Sequence, residues 1–172
     1  MSADPSPLTV YRGSATTGAF VWSPFVTKLE ARLRFAGIAY NVGAGSPTSA
    51  PRGKIPYVEL GPAREQLGDS TAIIQRLIHD GAAPDLNAAL PPLQRARDLA
   101  MRALLEDRGV YFYGTREKWR DNYTAMRDGA LAGVPWPLRA PATARIVRSY
   151  PVVVEYAERI REKYFPDYER WE

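Results

Sequence analysis

The chain has no cysteine and a single histidine among its 172 residues. The first absence excludes disulfides, thiolate metal sites and a cysteine nucleophile. The second leaves a histidine-based metal cage without its ligands. No run of roughly twenty apolar residues occurs, so no membrane span is expected. Residues 1–7 carry neither a basic nor an apolar stretch and do not read as a secretory signal, which makes the cytoplasm the expected compartment. The net charge of +4 comes from scattered arginines. No basic block interleaved with aromatics is present, so a nucleic-acid partner is not expected.

What is there is an ordinary globular composition, 45% apolar and 24% charged, in a length that suits one domain or two small ones sharing a core. One stretch organises the rest. Arg52-Gly53-Lys54-Ile55-Pro56-Tyr57-Val58-Glu59-Leu60 reads as a loop entering a strand through a proline. Proline donates no ladder hydrogen bond and sits at strand starts or turns. If the Pro56 bond is cis, the backbone before it turns outward and is free to pair with an extended peptide. Asp69-Ser70 then opens a helix, where N–H groups and the dipole collect a carboxylate. Together these residues describe a site for a small peptide with an acidic end.

In chain order, Leu8–Tyr11 is dense in β-branched and aromatic residues and reads as a strand. A Gly/Ser/Thr loop follows over 12–22, a length that is uncommon without a function. Ser23 and Pro24 fit the N-cap and first turn of a helix. Val26, Leu29, Leu33 and Ala36 recur on one face, with Lys28, Glu30, Arg32 and Arg34 expected outside, and Gly37 stops the helix. Strands are expected at 39–42, at Tyr57–Leu60 and around Gln66-Leu67. The first two strands should be parallel across the helix. Ile73, Ile74, Leu77 and Ile78 form the apolar stripe of the next helix, closed at Gly81. The β-α-β-β-β-α order is that of a thioredoxin-like α/β domain, placed at 1–82.

Four motifs in this order resemble the glutathione S-transferase superfamily, and more narrowly its metaxin and failed-axon-connections branch. They are Ser23-Pro24-Phe25-Val26-Thr27-Lys28-Leu29-Glu30, Phe35-Ala36-Gly37-Ile38-Ala39-Tyr40, Gly53-Lys54-Ile55-Pro56-Tyr57-Val58-Glu59 and Gly68-Asp69-Ser70-Thr71. The resemblance implies glutathione as cosubstrate. It implies that Ser23 faces the thiol, where a hydroxyl donor at a helix N-terminus favours thiolate. The same serine reads equally as a simple helix cap, and one hydroxyl does not easily do both. Tyr11 occupies the strand end where some relatives carry the activating phenol, and it also fits a core aromatic. Ser14, Thr16 and Thr17 are further hydroxyls near it. By the same resemblance, the Ile55 main chain pairs with the cysteinyl unit beside Pro56, and Lys54 reaches the glycyl carboxylate. Asp69 and Ser70 hold the γ-glutamyl ammonium and carboxylate, or only cap the helix. His79 reads as a helix-end contact.

The second half, 90–172, is expected to be a reduced all-α glutathione-transferase-like domain. Pro91-Pro92 starts a helix with Leu93, Ala96, Leu99, Ala100, Ala103 and Leu104 on its apolar face. A further helix is expected around 116–128, and a terminal helix runs from Pro151 to Tyr164. Tyr111, Tyr113, Trp119, Tyr123 and Trp136 could line a pocket for an apolar electrophile or belong to the core. The chemistry implied is addition or addition–elimination at an activated carbon. A non-catalytic interaction module, or an enzyme using the same pocket without glutathione, remains open beside it. Helices missing from the family pattern between Arg148 and Tyr150 would uncover apolar faces, and such faces find partners. A homodimer is therefore expected. Analytical ultracentrifugation at micromolar concentration should give the dimer mass, and a monomer there would count against it.

Overall fold

The structure, a computed structural model, describes residues 8–21, 23–106 and 141–170. Its elements begin β1 (Leu8–Tyr11), α1 (Pro24–Phe35), β2 (Tyr40–Gly43), β3 (Tyr57–Leu60), β4 (Glu65–Gly68) and α2 (Ser70–His79). The sheet order is β2-β1-β3-β4, with β1 and β2 parallel and the other neighbours antiparallel. This is the expected β-α-β-β-β-α domain, with β2 one residue later than the sequence reading placed it.

Strand alternation gives the sheet two unlike faces. Val10 and Val58 are cross-strand partners and are fully buried. They pack with Leu29 and Leu33 of α1 and Ile73 and Leu77 of α2 in one cluster, so both helices lie on that face. Each such side chain contributes about 1.5–3 kcal/mol through burial. On the opposite face, Tyr11 and Tyr57 pair across β1 and β3, their rings stacked 4.5 Å apart at 7°. Residues 44–56 run over these rings. The Ser49 hydroxyl lies 3.1 Å from the Tyr57 hydroxyl, and Gly45 presses so close that a Cβ there would sit 2.7 Å from the Tyr11 Cβ.

Two positions on α1 differ from expectation. Glu30, read as solvent-facing, is fully buried, and Arg34 is half-buried. Glu30 follows Val26 by four residues and precedes Leu33 by three, which puts it on the buried stripe. Its charge is matched by Arg12, equally buried, whose Nη1 donates to Glu30 Oε1 at 2.7 Å. Arg12 Nη1 also donates to the Tyr168 hydroxyl at 2.8 Å, and that hydroxyl donates to Glu30 Oε1 at 3.1 Å. Burial holds the Tyr168 phenol above its ordinary pKa, with the Glu30 charge adding to the effect. Arg34 donates Nη2 to Asp167 Oδ2 at 2.9 Å and Nη1 to the Tyr164 carbonyl at 2.8 Å. Its guanidinium carbon lies 4.6 Å from the ring centres of both Phe165 and Tyr168.

These contacts come from a segment distant in sequence. The chain divides into two compact units, and Tyr164–Glu169 clusters with residues up to Asp85 rather than with the helices that precede it. Phe165 and Tyr168 are buried there. The second unit contains α3 (Pro92–Ala103), α4 (Pro141–Arg148) and α5 (Pro151–Tyr164). Prolines in the first turns of α3 and α5 fit positions whose N–H would have no helical partner. The apolar face expected on α3 is present but uncovered, with Leu93 63% and Leu99 56% exposed. The helix expected around 116–128 lies outside the described residues. Among the described residues, no helix is long and apolar enough to cross a membrane.

Arg12→Ala strands the buried Glu30 carboxylate and should cost about 3–5 kcal/mol in urea unfolding. Arg64→Ala, which removes the exposed partner of Glu59, should leave the urea midpoint unchanged. Equal effects of the two substitutions would contradict this account of the buried pair.

Candidate functional site

The Ile55–Pro56 bond is cis, and Pro56 is fully buried at the entrance to β3. Its carbonyl accepts the Asp69 N–H at 3.3 Å. That bond continues the β3–β4 ladder, in which Tyr57 pairs with Gly68, and it joins the proline to the start of α2. Among the described residues, neither the N–H nor the carbonyl of Ile55 makes a hydrogen bond. The main chain expected to meet an extended peptide thus has its hydrogen-bonding groups open. Lys54 beside it is exposed.

Asp69 has φ +81°, a left-handed conformation that a side chain rarely adopts. Strained backbone of this kind costs about 1–3 kcal/mol and persists where its surroundings enforce it. The conformation aims the carboxylate at the helix: Oδ1 accepts the N–H groups of Thr71 at 2.8 Å and Ala72 at 3.1 Å. Ile73 N–H bonds the Asp69 carbonyl. Of the first helical N–H groups, that of Ser70 has no partner among the described residues, and Asp69 Oδ2 likewise accepts no bond there. Asp69 is therefore a true helix cap that keeps one oxygen in hand. Ser70 is buried at 4% exposure in the first turn.

Ser23 stands at the N-cap of α1 with extended backbone, but its side chain makes no capping bond. The Val26 and Thr27 N–H groups bond its carbonyl instead. The two uses weighed for this hydroxyl therefore do not compete. Two contacts tie its neighbourhood to the Pro56–Asp69 group. A Cβ on Gly13, where the loop toward Ser23 leaves β1, would fall 2.8 Å from Ile55 Cδ1. Lys28, in the helix that Ser23 opens, donates Nζ to Thr71 Oγ1 at 2.8 Å. Lys28 was read only as an outward charge. Its spacing of five residues from Ser23 gives no hint of that bond, because Thr71 is 43 residues away.

Tyr11 lies on the opposite face of the sheet, and its phenol donates to Glu59 Oε2 at 2.9 Å. That hydrogen bond, with partial burial, holds the phenol above its ordinary pKa. Arg64 and Gln66 also donate to Glu59, whose carboxyl is held low by Arg64 first. The structure thus brings Ile55, Pro56, Asp69 and Ser70 together, with Lys54 adjacent in the chain, and links them to α1 through Lys28 and Thr71, while Tyr11 belongs to a separate hydrogen-bonded cluster. Ser14 and Thr16 bond each other at 3.0 Å. His79 is exposed at the end of α2. Tyr111, Tyr113, Trp119, Tyr123 and Trp136 lie outside the described residues.

Residues 24–126 match the glutathione S-transferase N-terminal domain family. The chain belongs to that family. The isoprene-epoxide–glutathione S-transferase of Rhodococcus sp. (strain AD45) is 32% identical over 120 residues, covering 67% of this chain and 49% of that protein. The chain thus spans about half the length of this curated relative. Among solved structures, glutathione transferase Omega 2S from Trametes versicolor is 21% identical with a TM-score of 0.43, covering 61% of this chain and 48% of that one. Chlamydomonas reinhardtii dehydroascorbate reductase is 18% identical with a TM-score of 0.42, covering 73% and 56%.

Asp69→Ala removes the acceptor for two helix N–H groups and should lower stability by about 1 kcal/mol, whereas Asp69→Asn should cost less than half of that. Urea unfolding of the two variants measures the difference, and equal losses would deny the carboxylate its capping role.

Proposed function

We propose that the protein binds glutathione along Lys54, Ile55 and Pro56 and at Asp69 and Ser70, and turns its thiol on an apolar electrophile. The observation that carries this reading is the pairing of an open Ile55 main chain with a half-used Asp69 carboxylate, joined through the Pro56 carbonyl. In this reading the Ile55 amide and carbonyl pair with the cysteinyl unit. Asp69 Oδ2 receives the γ-glutamyl ammonium, and the Ser70 N–H and hydroxyl receive its carboxylate. Lys54 meets the glycyl carboxylate. The uncapped Ser23 hydroxyl donates to the sulfur and favours thiolate. Tyr11 is the weaker candidate for that task because its proton already serves Glu59.

The thiolate then attacks carbon, forming a C–S bond. The family relative is named for an epoxide, and a small epoxide fits this chemistry. Its C–O bond breaks as the C–S bond forms, and the alkoxide takes a proton from solvent. The motifs from Ser23 to Thr71 support placing the chain in the metaxin-like branch. The exposed leucines of α3 support a homodimer, and equally a second reading as an interaction module.

Immobilised glutathione should retain the wild type and release Asp69→Ala. Flow-through of the folded wild type would end the transferase reading. Ser23→Ala should still be retained but lose a charge-assisted hydrogen bond of about 1.5–3 kcal/mol, a ~10- to ~150-fold fall in turnover of an aryl halide or epoxide.

A further inference from the structure

The segment Tyr164–Glu169 does more than complete a core. It touches the loop 13–21 at Gly18 and Phe20 and reaches it at Ala19 through Arg12. The Glu169 N–H donates to the Gly18 carbonyl at 2.7 Å. Phe20 packs against Phe165 at 5.3 Å and edge-on against Tyr168 at 4.7 Å between ring centres. Arg12, held by the Tyr168 hydroxyl and Glu30, donates Nη2 to the Ala19 carbonyl. The loop so gripped is the one that leads into α1 and Ser23.

We propose that Tyr164–Glu169 is a clasp that fixes loop 13–21 and thereby positions Ser23, with Arg12 and Tyr168 as positioning residues. This rests on the transferase reading for its catalytic consequence, but not for the clasp itself. The physical case is the composition of the contact. A buried ion pair is a poor source of net stability, because desolvation offsets the attraction. Here Arg12 Nε and Glu30 Oε2 are buried without a hydrogen-bond partner among the described residues. What the network does supply is one geometry. A planar guanidinium with fixed donor directions couples α1, the loop and the clasp, so each fixes the other two. Arg34 secures the clasp from its other side, paired in parallel with Asp167 and stacked on Phe165 and Tyr168.

Hydrogen exchange read by mass spectrometry on the full chain tests the clasp without any ligand. Tyr168→Phe keeps the ring and removes the shared hydroxyl. It should raise exchange in 13–21 by about tenfold while leaving β1 and β3 protected. Trypsin should then cut at Arg12–Gly13, a bond whose arginine is fully buried in the wild type. Asp167→Asn, which leaves the buried network intact, should show the same localised rise at smaller amplitude. Unchanged exchange in both variants, or a rise spread evenly over the first unit, overturns the clasp. Where the wild type turns over glutathione, Tyr168→Phe should lower kcat several-fold with KM for glutathione within about twofold. An unchanged kcat with a loosened loop overturns the positioning of Ser23. Failure of the wild type to bind glutathione sinks the transferase reading alone, since the exchange result still decides the clasp.

Discussion

A single main-chain hydrogen bond, from the Asp69 N–H to the Pro56 carbonyl, joins the entrance of β3 to the start of α2. Pro56 cannot donate to a ladder, and its ring fills buried space at the strand entrance. Its carbonyl is thus the last acceptor the strand offers before the chain turns away. Because Asp69 uses its N–H there, its backbone is committed before α2 begins. Asp69 also has a positive φ, and with that backbone one carboxylate oxygen satisfies two helix donors. Strand, proline and helix start are consequently one rigid object. The open groups of Ile55 and the spare oxygen of Asp69 lie on it. Preorganised groups of this kind lower the ordering cost of any ligand that pairs with them.

How much of this was legible depended on how far apart the partners lie. The thioredoxin-like order could be read because each element carries its own signal: β-branched strands, Ser-Pro and Asp-Ser helix starts, and glycines at helix ends. Pro56 and Asp69 could be placed in one site on paper because they are close in the chain and flank adjacent strands. The fate of Glu30 was also within reach. Val26, Leu29, Glu30 and Leu33 make an i, i+3, i+4, i+7 set, so position alone placed the carboxylate inside, and only its polarity argued otherwise. Arg12 was beyond reach. Its partners stand 18 and 156 residues away, and no local pattern announces a strand-end arginine that will be closed over by a distant segment.

The candidate hydroxyls separate for a similar reason. A serine after a loop and before a proline reads as a cap, and the fold does use Ser23 as the N-cap residue. Its carbonyl accepts the first helical N–H groups as any N-cap carbonyl does, but its side chain makes no capping bond. Tyr11 ends its strand as expected, but strand parity turns it to the face away from the helices. There the Glu59 carboxylate accepts its proton, and Arg64 from the β3–β4 turn donates to that same carboxylate. Identity and position were readable; which partner each group would meet depended on tertiary pairing.

The sheet is served by two helices on one side and by a covering loop on the other. Selection therefore meets a scaffold with one stiff wall and one editable wall. The helix-packed wall tolerates little, since every change in volume is felt by several neighbours. Between Ser46 and Gly53 the covering loop can exchange exposed residues while the helix-packed core stays as it was, apart from Ser49, whose hydroxyl meets that of Tyr57. Gly43 and Gly45 mark the border of that freedom, because there the backbone lies directly on the Tyr11 ring and side chain. Lineages descending from such a chain would diversify by rewriting this cover and would leave the seam between Pro56 and Asp69 untouched.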